Sequence, residues 1–205
     1  MNKTLPGLLI VLSAPSGAGK GSVRRELAKL EPDLIYGVSV TTRPPRPGER
    51  DGQHYFFTDE EDFRARAARG ELVEWSEVYG HLYGTPREPM ETYIREGRDV
   101  IVEKDVQGAR KIMALYPKAV TIFILPPSLE ELRRRIESRG TESPEAQRQR
   151  LRSAGEELVW VKDYQYCIVN DDVAVAAADV AAIIRAERCR VQRYLDAGHL
   201  FWLEG

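Results

Sequence analysis

The sequence feature that most constrains the fold is a glycine-rich segment placed between a short apolar run and a helical pattern. The apolar run covers residues 8–12, and the segment after it reads Ala14-Pro15-Ser16-Gly17-Ala18-Gly19-Lys20-Gly21. Val23, Leu27 and Leu30 then recur at the spacing of one helix face. Strand, glycine loop and helix, in this order, are the context that a phosphate-binding loop requires.

A loop of this kind binds phosphate through its main chain. Glycines let consecutive backbone N–H groups turn toward phosphate oxygens, and the helix N-terminus adds the positive end of its dipole. Lys20 adds an ammonium group for the β and γ phosphates of a nucleoside triphosphate. The alternative is an ordinary glycine-rich turn, which does not require a lysine at the start of a helix. We therefore predict an ATP site made of Ala14, Pro15, Ser16, Gly17, Ala18, Gly19, Lys20, Gly21 and Ser22.

The residue after Lys20 departs from the common pattern of such loops. Gly21 stands where a Ser or Thr hydroxyl normally ligates Mg²⁺. Ser22 is the next residue, but on a helix it points about 100° away. Mg²⁺ is expected with ATP, and three arrangements stay open: Ser22 shifts inward, water takes the empty coordination position, or the metal is bound more weakly.

The rest of the chain alternates short apolar runs with helical segments, which indicates an α/β fold. Four runs are nearly continuous in apolar residues, as strands covered on both faces must be: 8–12, 100–102, 120–125 and 167–169. Ser128 and Glu131 form a capping box at the start of one helix, and Pro144 opens another. A last helix is predicted from Asp172 to about Arg193. The pattern predicts a parallel β-sheet flanked by helices.

Residues 36–90 differ from the rest because they are rich in proline, glycine and aromatic residues. Short alternating runs at 36–42 and 53–57, with a helix capped by Thr58, predict a small mixed α/β subdomain inserted into the core. A second insertion is predicted to be a small helical lid over residues 135–150. The core of this single domain, which spans residues 1–205, then comprises residues 1–35, 91–134 and 151–205.

Composition limits the partners. The chain has 205 residues, with 30 Lys and Arg against 32 Asp and Glu, so binding to nucleic acid through phosphate neutralisation is not expected. No apolar run reaches the roughly 18 residues of a membrane span. Cys167 and Cys189 cannot form a disulfide framework, which favours a cytoplasmic location. The segment 194–205 could pack on the core or on a neighbouring subunit, so a homo-oligomer is left open.

A second set of motifs identifies a family. The motifs are Ser39-Val40-Thr41-Thr42-Arg43-Pro44-Pro45-Arg46-Pro47-Gly48-Glu49, Gly52-Gln53-His54-Tyr55-Phe56-Phe57, Leu72-Val73-Glu74-Trp75, Tyr83-Gly84-Thr85, Asp105-Val106-Gln107-Gly108-Ala109, 135–141 and 168–171. In this order and near this spacing, from about residue 8 to 188, the chain resembles the guanylate kinases, which phosphorylate GMP from ATP in purine nucleotide metabolism. The resemblance implies a P-loop kinase core with a parallel β-sheet flanked by helices, an inserted mixed α/β GMP-binding subdomain and a small helical lid.

By this resemblance, the GMP phosphate is bound by Ser39, Arg43, Arg46 and Tyr55, and Tyr83 contacts it. The chemistry agrees, because two guanidinium groups can hold one dianionic phosphate through charge-assisted hydrogen bonds of roughly 1.5–3 kcal/mol each. The alternative is a solvated, basic, proline-rich loop, and for Tyr83 simple core packing.

Glu74 lies in an apolar setting, where a carboxylate needs hydrogen-bond donors. Guanine offers N1–H and N2–H₂ side by side, whereas adenine has an acceptor at N1, so such a site can reject adenine by roughly 10⁴-fold. The alternative for Glu74 is an exposed strand residue paired with an arginine. By resemblance, Thr85 and Asp105 also touch the base.

Glu103 and Lys104 stand beside Asp105 at the end of a predicted strand, where ligand sites of open α/β sheets cluster. Glu103 is assigned to the GMP site, where it could organise phosphates or the water ligands of the metal. Lys104 is unusual for the family, in which an apolar residue is common. It either pairs with Glu103 or marks a local change.

Phosphoryl transfer is catalysed mainly by positioning and charge stabilisation. Lys20 and Arg46 are predicted to share this work with Arg139 and Arg150, which match the arginines of the family's lid. No general base is needed, because the attacking phosphate oxygen is already ionised. Asn170 is predicted to lie near adenine, and its alternative role is a turn or N-cap before the last helix.

Two rival functions remain at this point. One is a kinase of the same architecture acting on another phosphorylated acceptor, such as a sugar bisphosphate, and Glu74 argues against it. The other is a non-catalytic guanylate-kinase-like module that docks phosphopeptides on Arg43, Arg46 and Tyr55. Gly21 favours the module, whereas Lys20 and the paired lid arginines favour an enzyme.

Overall fold

The computed structural model describes residues 5–78, 80–138 and 144–198. Its strands, numbered in chain order, are β1 (Leu9–Ser13), β2 (Ile35–Tyr36), β3 (Ser39–Thr41), β4 (Tyr55–Phe57), β5 (Leu72–Val78), β6 (His81–Pro86), β7 (Val100–Lys104), β8 (Val120–Leu125) and β9 (Tyr166–Val169). Its helices are α1 (Lys20–Leu30), α2 (Glu60–Ala68), α3 (Arg87–Arg95), α4 (Val106–Leu115), α5 (Leu129–Glu137), α6 (Pro144–Leu158), α7 (Val173–Arg188) and α8 (Val191–Asp196), with a 3₁₀ helix at Val159–Asp163.

The first sheet has five parallel strands in the order β2-β7-β1-β8-β9. The central strand β1 is buried along its whole length because both of its faces are covered. Ile10 and Leu12 pack into a cluster with residues of α1 and α7, whereas Leu9 and Val11 pack on the opposite face with residues of α3 and α4. The predicted helix-covered parallel sheet is confirmed.

The second sheet has four strands in the order β4-β3-β6-β5 and is mixed, since β3 is parallel to β4 and antiparallel to β6. A separate small core of Val40, Phe63, Leu72 and Leu82 holds it together. This confirms the mixed α/β character that residues 36–90 were predicted to have. Lys104, the last residue of β7, contacts the second sheet through Ser39 of β3 and Glu74 of β5.

The alternating run over 36–42 contributes to the mixed sheet only in part, because the structure divides it between the two sheets. Tyr36 pairs with Ile101 in the first sheet, and the second sheet begins only at Ser39. Gly37 makes the crossing between them, where a Cβ atom would lie 2.8 Å from Val102 Cγ1 and its N–H donates to the Ile101 carbonyl at 2.9 Å. The chain therefore passes against the first sheet through a position that only glycine fits.

Helix ends differ from the sequence pattern in two places. Thr58 was predicted to cap α2, but the N-cap is Asp59, whose carboxylate accepts from Asp62 N at 2.8 Å. The single last helix predicted over 172–193 is also wrong: α7 ends at Arg188 and α8 begins at Val191. By contrast, Ser128 caps α5 as predicted and accepts from Glu131 N at 3.0 Å.

Within the ranges that the structure describes, no helix combines the length and the apolarity needed to cross a membrane. Residues 139–143 of the predicted lid (135–150) and the tail from residue 199 onward lie outside the described residues.

Candidate active site

The glycine loop joins β1 to α1, as predicted. Gly17 and Gly19 both have φ of 91°, in the left-handed region that glycine adopts without strain. Space excludes side chains as well, because a Cβ atom would lie 2.8 Å from Ile136 Cγ1 at Gly17 and 2.3 Å from Asn170 Nδ2 at Gly19. The loop is therefore packed between α5 and the end of β9, at two positions where a larger residue would not fit.

Lys20 is the first residue of α1 and lies at the carboxyl end of β7. Its Nζ donates to the Lys104 carbonyl at 2.8 Å. Burial lowers the pKa of Lys20, while the nearby carboxylates of Glu103 and Asp105 act in the opposite direction. An arriving phosphate would add negative charge beside this ammonium group and so favour its charged form.

Asn170 and Arg135 support the glycine loop through hydrogen bonds to its backbone. Asn170 is almost completely buried, and its Nδ2 donates to the Ala18 carbonyl at 2.7 Å. Arg135 reaches the same carbonyl at 3.5 Å and the Asn170 carbonyl at 3.2 Å. Asn170 therefore supports the loop, and its predicted contact with adenine stays a prediction. Its alternative role as an N-cap is wrong, because Asp172 caps α7.

Glu157 on α6 also touches the loop. One of its carboxylate oxygens accepts from Ser16 N at 3.1 Å, and burial raises the pKa of this carboxyl. Sequence reasoning missed both Glu157 and Arg135 as residues of the site. Each lies on a helix rich in charged residues, where the pattern alone indicates a solvated face.

The metal question left open by Gly21 is partly answered. Gly21 is exposed with open space around it, and the Ser22 hydroxyl accepts from Arg25 Nη2 at 3.0 Å instead of turning inward. Glu103 pairs with Arg24 at 3.0 Å. The described part of the chain contains no group of three or more His, Cys, Asp or Glu side chains that could hold a metal. These side chains do not fit a metal ligated directly by protein groups alone.

A polar cavity of about 310 Å³ lies between the two sheets and opens onto Lys20. Most of the predicted substrate and catalytic residues line it: Lys20, Ser39, Arg43, Arg46, Tyr55, Glu74, Tyr83, Glu103, Asp105 and Arg150. The lining also includes residues that were not predicted as site residues: Glu49, Ser76, Val78, Lys104 and Gly108. Thr85 does not line the cavity but donates a hydrogen bond to Glu74, which does. Arg139 falls outside the described residues.

Arg43 forms one wall of the cavity and is held in place before any ligand arrives. Its Nη2 donates to both carboxylate oxygens of Glu49 at 2.9 Å, and its guanidinium lies 5.4 Å from the centre of the Tyr55 ring. Burial opposes the charge on Arg43, but hydrogen bonds with Glu49 and Tyr83 outweigh it and raise the Arg43 pKa. Glu49 also accepts from Arg46 N at 2.8 Å, so one carboxylate ties both arginines together.

Glu74 lies at the opposite wall, on β5, and is buried with only 5% of its surface exposed. Its Oε1 accepts from Thr85 Oγ1 at 2.7 Å and pairs with Lys104 Nζ at 3.0 Å. Lys104 Nζ also donates to Ser39 Oγ at 2.9 Å. The alternative of an exposed Glu74 paired with an arginine is wrong.

Of the two alternatives left open for Lys104, pairing with Glu103 is wrong. The two residues are neighbours on β7, and successive side chains of a strand point to opposite faces. Glu103 therefore meets Arg24 of α1, whereas Lys104 meets Glu74 and Ser39 of the second sheet. Sequence reasoning noticed that Lys104 was unusual but did not place it in the cavity.

Asp105 and Gly108 close the cavity at the start of α4. Asp105 is the N-cap of this helix, and its Oδ1 accepts from Gly108 N at 2.7 Å. A Cβ atom on Gly108 would lie 3.1 Å from Glu74 Oε2 and 3.3 Å from Asp105 Oδ1. The missing side chain at Gly108 therefore leaves room for two carboxylates next to the helix N-terminus.

Comparisons with known proteins agree with this geometry. The family model for guanylate kinase matches residues 7–187. A guanylate kinase of Caldanaerobacter subterraneus is 52% identical over 93% of this chain and 92% of its own length. A guanylate kinase of Symbiobacterium thermophilum is 50% identical over 91% of this chain and 89% of its own length. A crystal structure of guanylate kinase from Anaplasma phagocytophilum superposes with a TM-score of 0.77 at 38% identity, over 93% of this chain and 90% of that one. The chain therefore belongs to the guanylate kinase family.

Proposed function

We propose that the protein transfers the γ-phosphoryl group of ATP to GMP, and to dGMP, giving ADP and GDP. As a member of its family it is an ATP:GMP phosphotransferase. The observation that carries the proposal is the buried Glu74 carboxylate, which lies in the same cavity as two arginines and the loop lysine. One wall thus suits a base with adjacent N–H donors, another suits a phosphate, and the open end faces the donor loop.

ATP would be bound by the glycine loop. Its phosphates would take hydrogen bonds from the loop amides and from the N-terminus of α1. Lys20 now donates to the Lys104 carbonyl, and we propose that it transfers this hydrogen bond to the phosphates of ATP. Such an exchange supports transfer because the ammonium group then stabilises charge at the transferred phosphoryl group.

GMP would place its phosphate beside Arg43, Arg46, Tyr55 and Tyr83. A guanidinium group carries five N–H donors. Glu49 is bound through Nη2 of Arg43, and the Pro44 carbonyl accepts from Nη1 at 2.6 Å, so donors remain for a phosphate. The pairing with Glu49 fixes the orientation of Arg43 in advance, which reduces the entropy lost when the substrate binds.

Catalysis would rest on four positive charges around the transferred group. Lys20, Arg46 and Arg150 line the same cavity. Arg139 is assigned to the same role because it matches an arginine of the family's lid. They position the reacting phosphates and stabilise the charge that develops on them. GMP needs no general base, because its phosphate oxygen is ionised at neutral pH.

Mg²⁺ is proposed as a companion of ATP. Because Gly21 has no side chain and Ser22 is bound by Arg25, the ion would be held mainly by ATP phosphates and water, with Glu103 and Asp105 near its water shell. When bound, the ion neutralises negative charge on the phosphates. We also propose a cytoplasmic location, which the free thiols of Cys167 and Cys189 support.

The test is ADP formation from Mg²⁺-ATP with four acceptors: GMP, dGMP, AMP and dephosphorylated guanosine. We expect turnover with GMP and dGMP alone, because AMP leaves Glu74 unpaired and guanosine offers Arg43 no phosphate. Turnover with a sugar bisphosphate but not with GMP would favour the other kinase. Absence of turnover with every acceptor, together with phosphopeptide binding, would favour the docking module.

A further inference from the structure

Lys104 and Glu74 form a buried ion pair that faces the acceptor cavity. Their side chains are 8% and 2% exposed, and the Nζ–Oε1 distance is 3.0 Å. Two charges taken out of water are stabilising only when further hydrogen bonds satisfy their remaining donors and acceptors. The unused atoms of this pair therefore indicate what a ligand must offer.

The pair has at least one donor and one acceptor to spare. An ammonium group has three N–H bonds, and Lys104 donates one to Ser39 Oγ while its Nζ forms an ion pair with Glu74 Oε1, so at least one N–H is left for a ligand. Glu74 Oε1 is occupied by Thr85 and Lys104, whereas Oε2 accepts no hydrogen bond within the described part of the chain. Both residues line the cavity. A ligand there meets a positively charged donor beside a free carboxylate oxygen.

This order of groups matches one edge of guanine. Guanine presents the O6 acceptor next to N1–H and N2–H₂, which are donors. A cationic donor opposite O6 and a carboxylate opposite N1–H and N2–H₂ would satisfy all three groups. Adenine presents the reverse order, an N6–H₂ donor next to an N1 acceptor, so its amino group would meet the ammonium of Lys104 without an acceptor.

We propose that Lys104 is a specificity-determining residue of the acceptor site, which donates its third N–H to O6 of the purine while Glu74 binds N1–H and N2–H₂. This rests on the proposed function, since it assumes that GMP occupies the cavity. Discrimination between guanine and adenine is then divided between two residues. Glu74 reads the donors of the base, and Lys104 reads the acceptor.

The experiment compares GMP with 6-thioguanosine monophosphate, in which sulfur replaces O6 and the N1–H and N2–H₂ donors remain. The wild-type protein and Lys104→Met are assayed with both substrates, and kcat and KM are measured separately. Lys111→Met is the matched control, because it removes one positive charge from an exposed side chain that contacts β5 away from the cavity.

We expect Lys104→Met to lower kcat/KM for GMP by about 10- to 100-fold, mainly through KM, as for the loss of one charge-assisted hydrogen bond. Its effect on 6-thioguanosine monophosphate should be much smaller, so that the ratio of the two specificity constants falls by about tenfold. The control should leave this ratio unchanged. Equal losses for both substrates, or no loss for GMP, would overturn the assignment, because Lys104 would then only hold Glu74 in place.

A second variant covers the case in which Lys104→Met does not fold. Lys104→Gln keeps a neutral donor and leaves no apolar group against Glu74. It should also lower the ratio between GMP and 6-thioguanosine monophosphate, by less than Lys104→Met, and an unchanged ratio would again overturn the assignment. Wild-type protein that does not turn over GMP would overturn the proposed function as well, whereas wild-type turnover with an unaltered ratio in the variants overturns the role of Lys104 alone.

Discussion

The two nucleotide sites proposed for this protein are built from different chemistry. The donor site consists of main-chain amides, two glycines with positive φ and one lysine at a helix start. The acceptor site consists of side chains that already bind one another, as Arg43 does with Glu49 and Lys104 with Glu74. The donor site is thus formed mainly by the backbone. The acceptor site is formed by side chains that are already ion-paired, and a substrate must bind to these same side chains. Substitutions should therefore affect the two sites in different ways.

The largest expected effect is on the donor side. Lys20→Ala should lower kcat by about 10³-fold or more, because the loop lysine stabilises charge at the transferred phosphoryl group. The affinity for GMP should change little, since the acceptor phosphate is proposed to bind the arginines and not Lys20. Steady-state kinetics and GMP titration measure the two quantities separately. Comparable losses in kcat and in GMP affinity would contradict the assignment of Lys20 to the ATP site.

The next largest effect should fall on the acceptor base. Glu74→Gln should raise the KM for GMP by about 100-fold and leave the KM for ATP near its original value, because the buried carboxylate that we propose binds N1–H and N2–H₂ is lost. Glu77→Gln is the matched control, since Glu77 lies on the same strand and is exposed. If the KM for GMP did not change in Glu74→Gln, Glu74 would not belong to the base site.

A smaller effect is expected from the glycine between the two carboxylates. Gly108→Ala places a Cβ atom 3.1 Å from Glu74 Oε2, so the carboxylate must shift and the KM for GMP should rise roughly tenfold or less. Gly155→Ala is the control: it lies in α6 with nothing within 4 Å, and should stabilise the fold by about 0.5–1 kcal/mol. Thermal unfolding and GMP kinetics separate the outcomes, and an unchanged KM in Gly108→Ala would show that the carboxylate position is not critical.

The smallest effect concerns the metal. Gly21 has open space around it, so Gly21→Ser should fold normally and supply the hydroxyl that Ser22 does not offer. We expect the Mg²⁺ concentration for half-maximal activity to fall by roughly tenfold or less, because one protein ligand is gained. A magnesium titration at constant ATP measures this. A higher magnesium requirement in the variant would show that the ion is held elsewhere.

The same contrast explains what could be predicted from the sequence. The donor loop is contiguous in sequence. Its strand, glycines and lysine follow one another directly, so together they predict a phosphate-binding loop. Glu74 was predicted through its apolar neighbours and the family resemblance. The partners of these residues come from distant segments: Ser39 and Lys104 are 65 residues apart, and Asn170 contacts Ala18 across 152 residues. Only the fold brings such pairs together.

Local patterns also have physical limits. The two residues between α7 and α8 are Cys189 and Arg190, and neither is a glycine or a proline. The sequence therefore contains no helix-breaking residue there, and a single long helix was predicted. Thr58 and Asp59 are both suitable N-cap residues for α2. Asp59 is the N-cap because its carboxylate accepts from the N–H of Asp62, whereas Thr58 Oγ1 donates to the Asp62 side chain. Arg135 and Glu157 were missed because charged helix residues are usually solvated, and only packing turns these two toward the loop.

The most direct test of the account is a crystal structure of the protein with GMP and a non-hydrolysable ATP analogue. The account predicts the guanine edge against Glu74 and Lys104, the GMP phosphate beside Arg43 and Tyr55, and the analogue's phosphates on the glycine loop. Well-ordered GMP bound outside this cavity, or phosphates of the analogue away from Lys20, would contradict it.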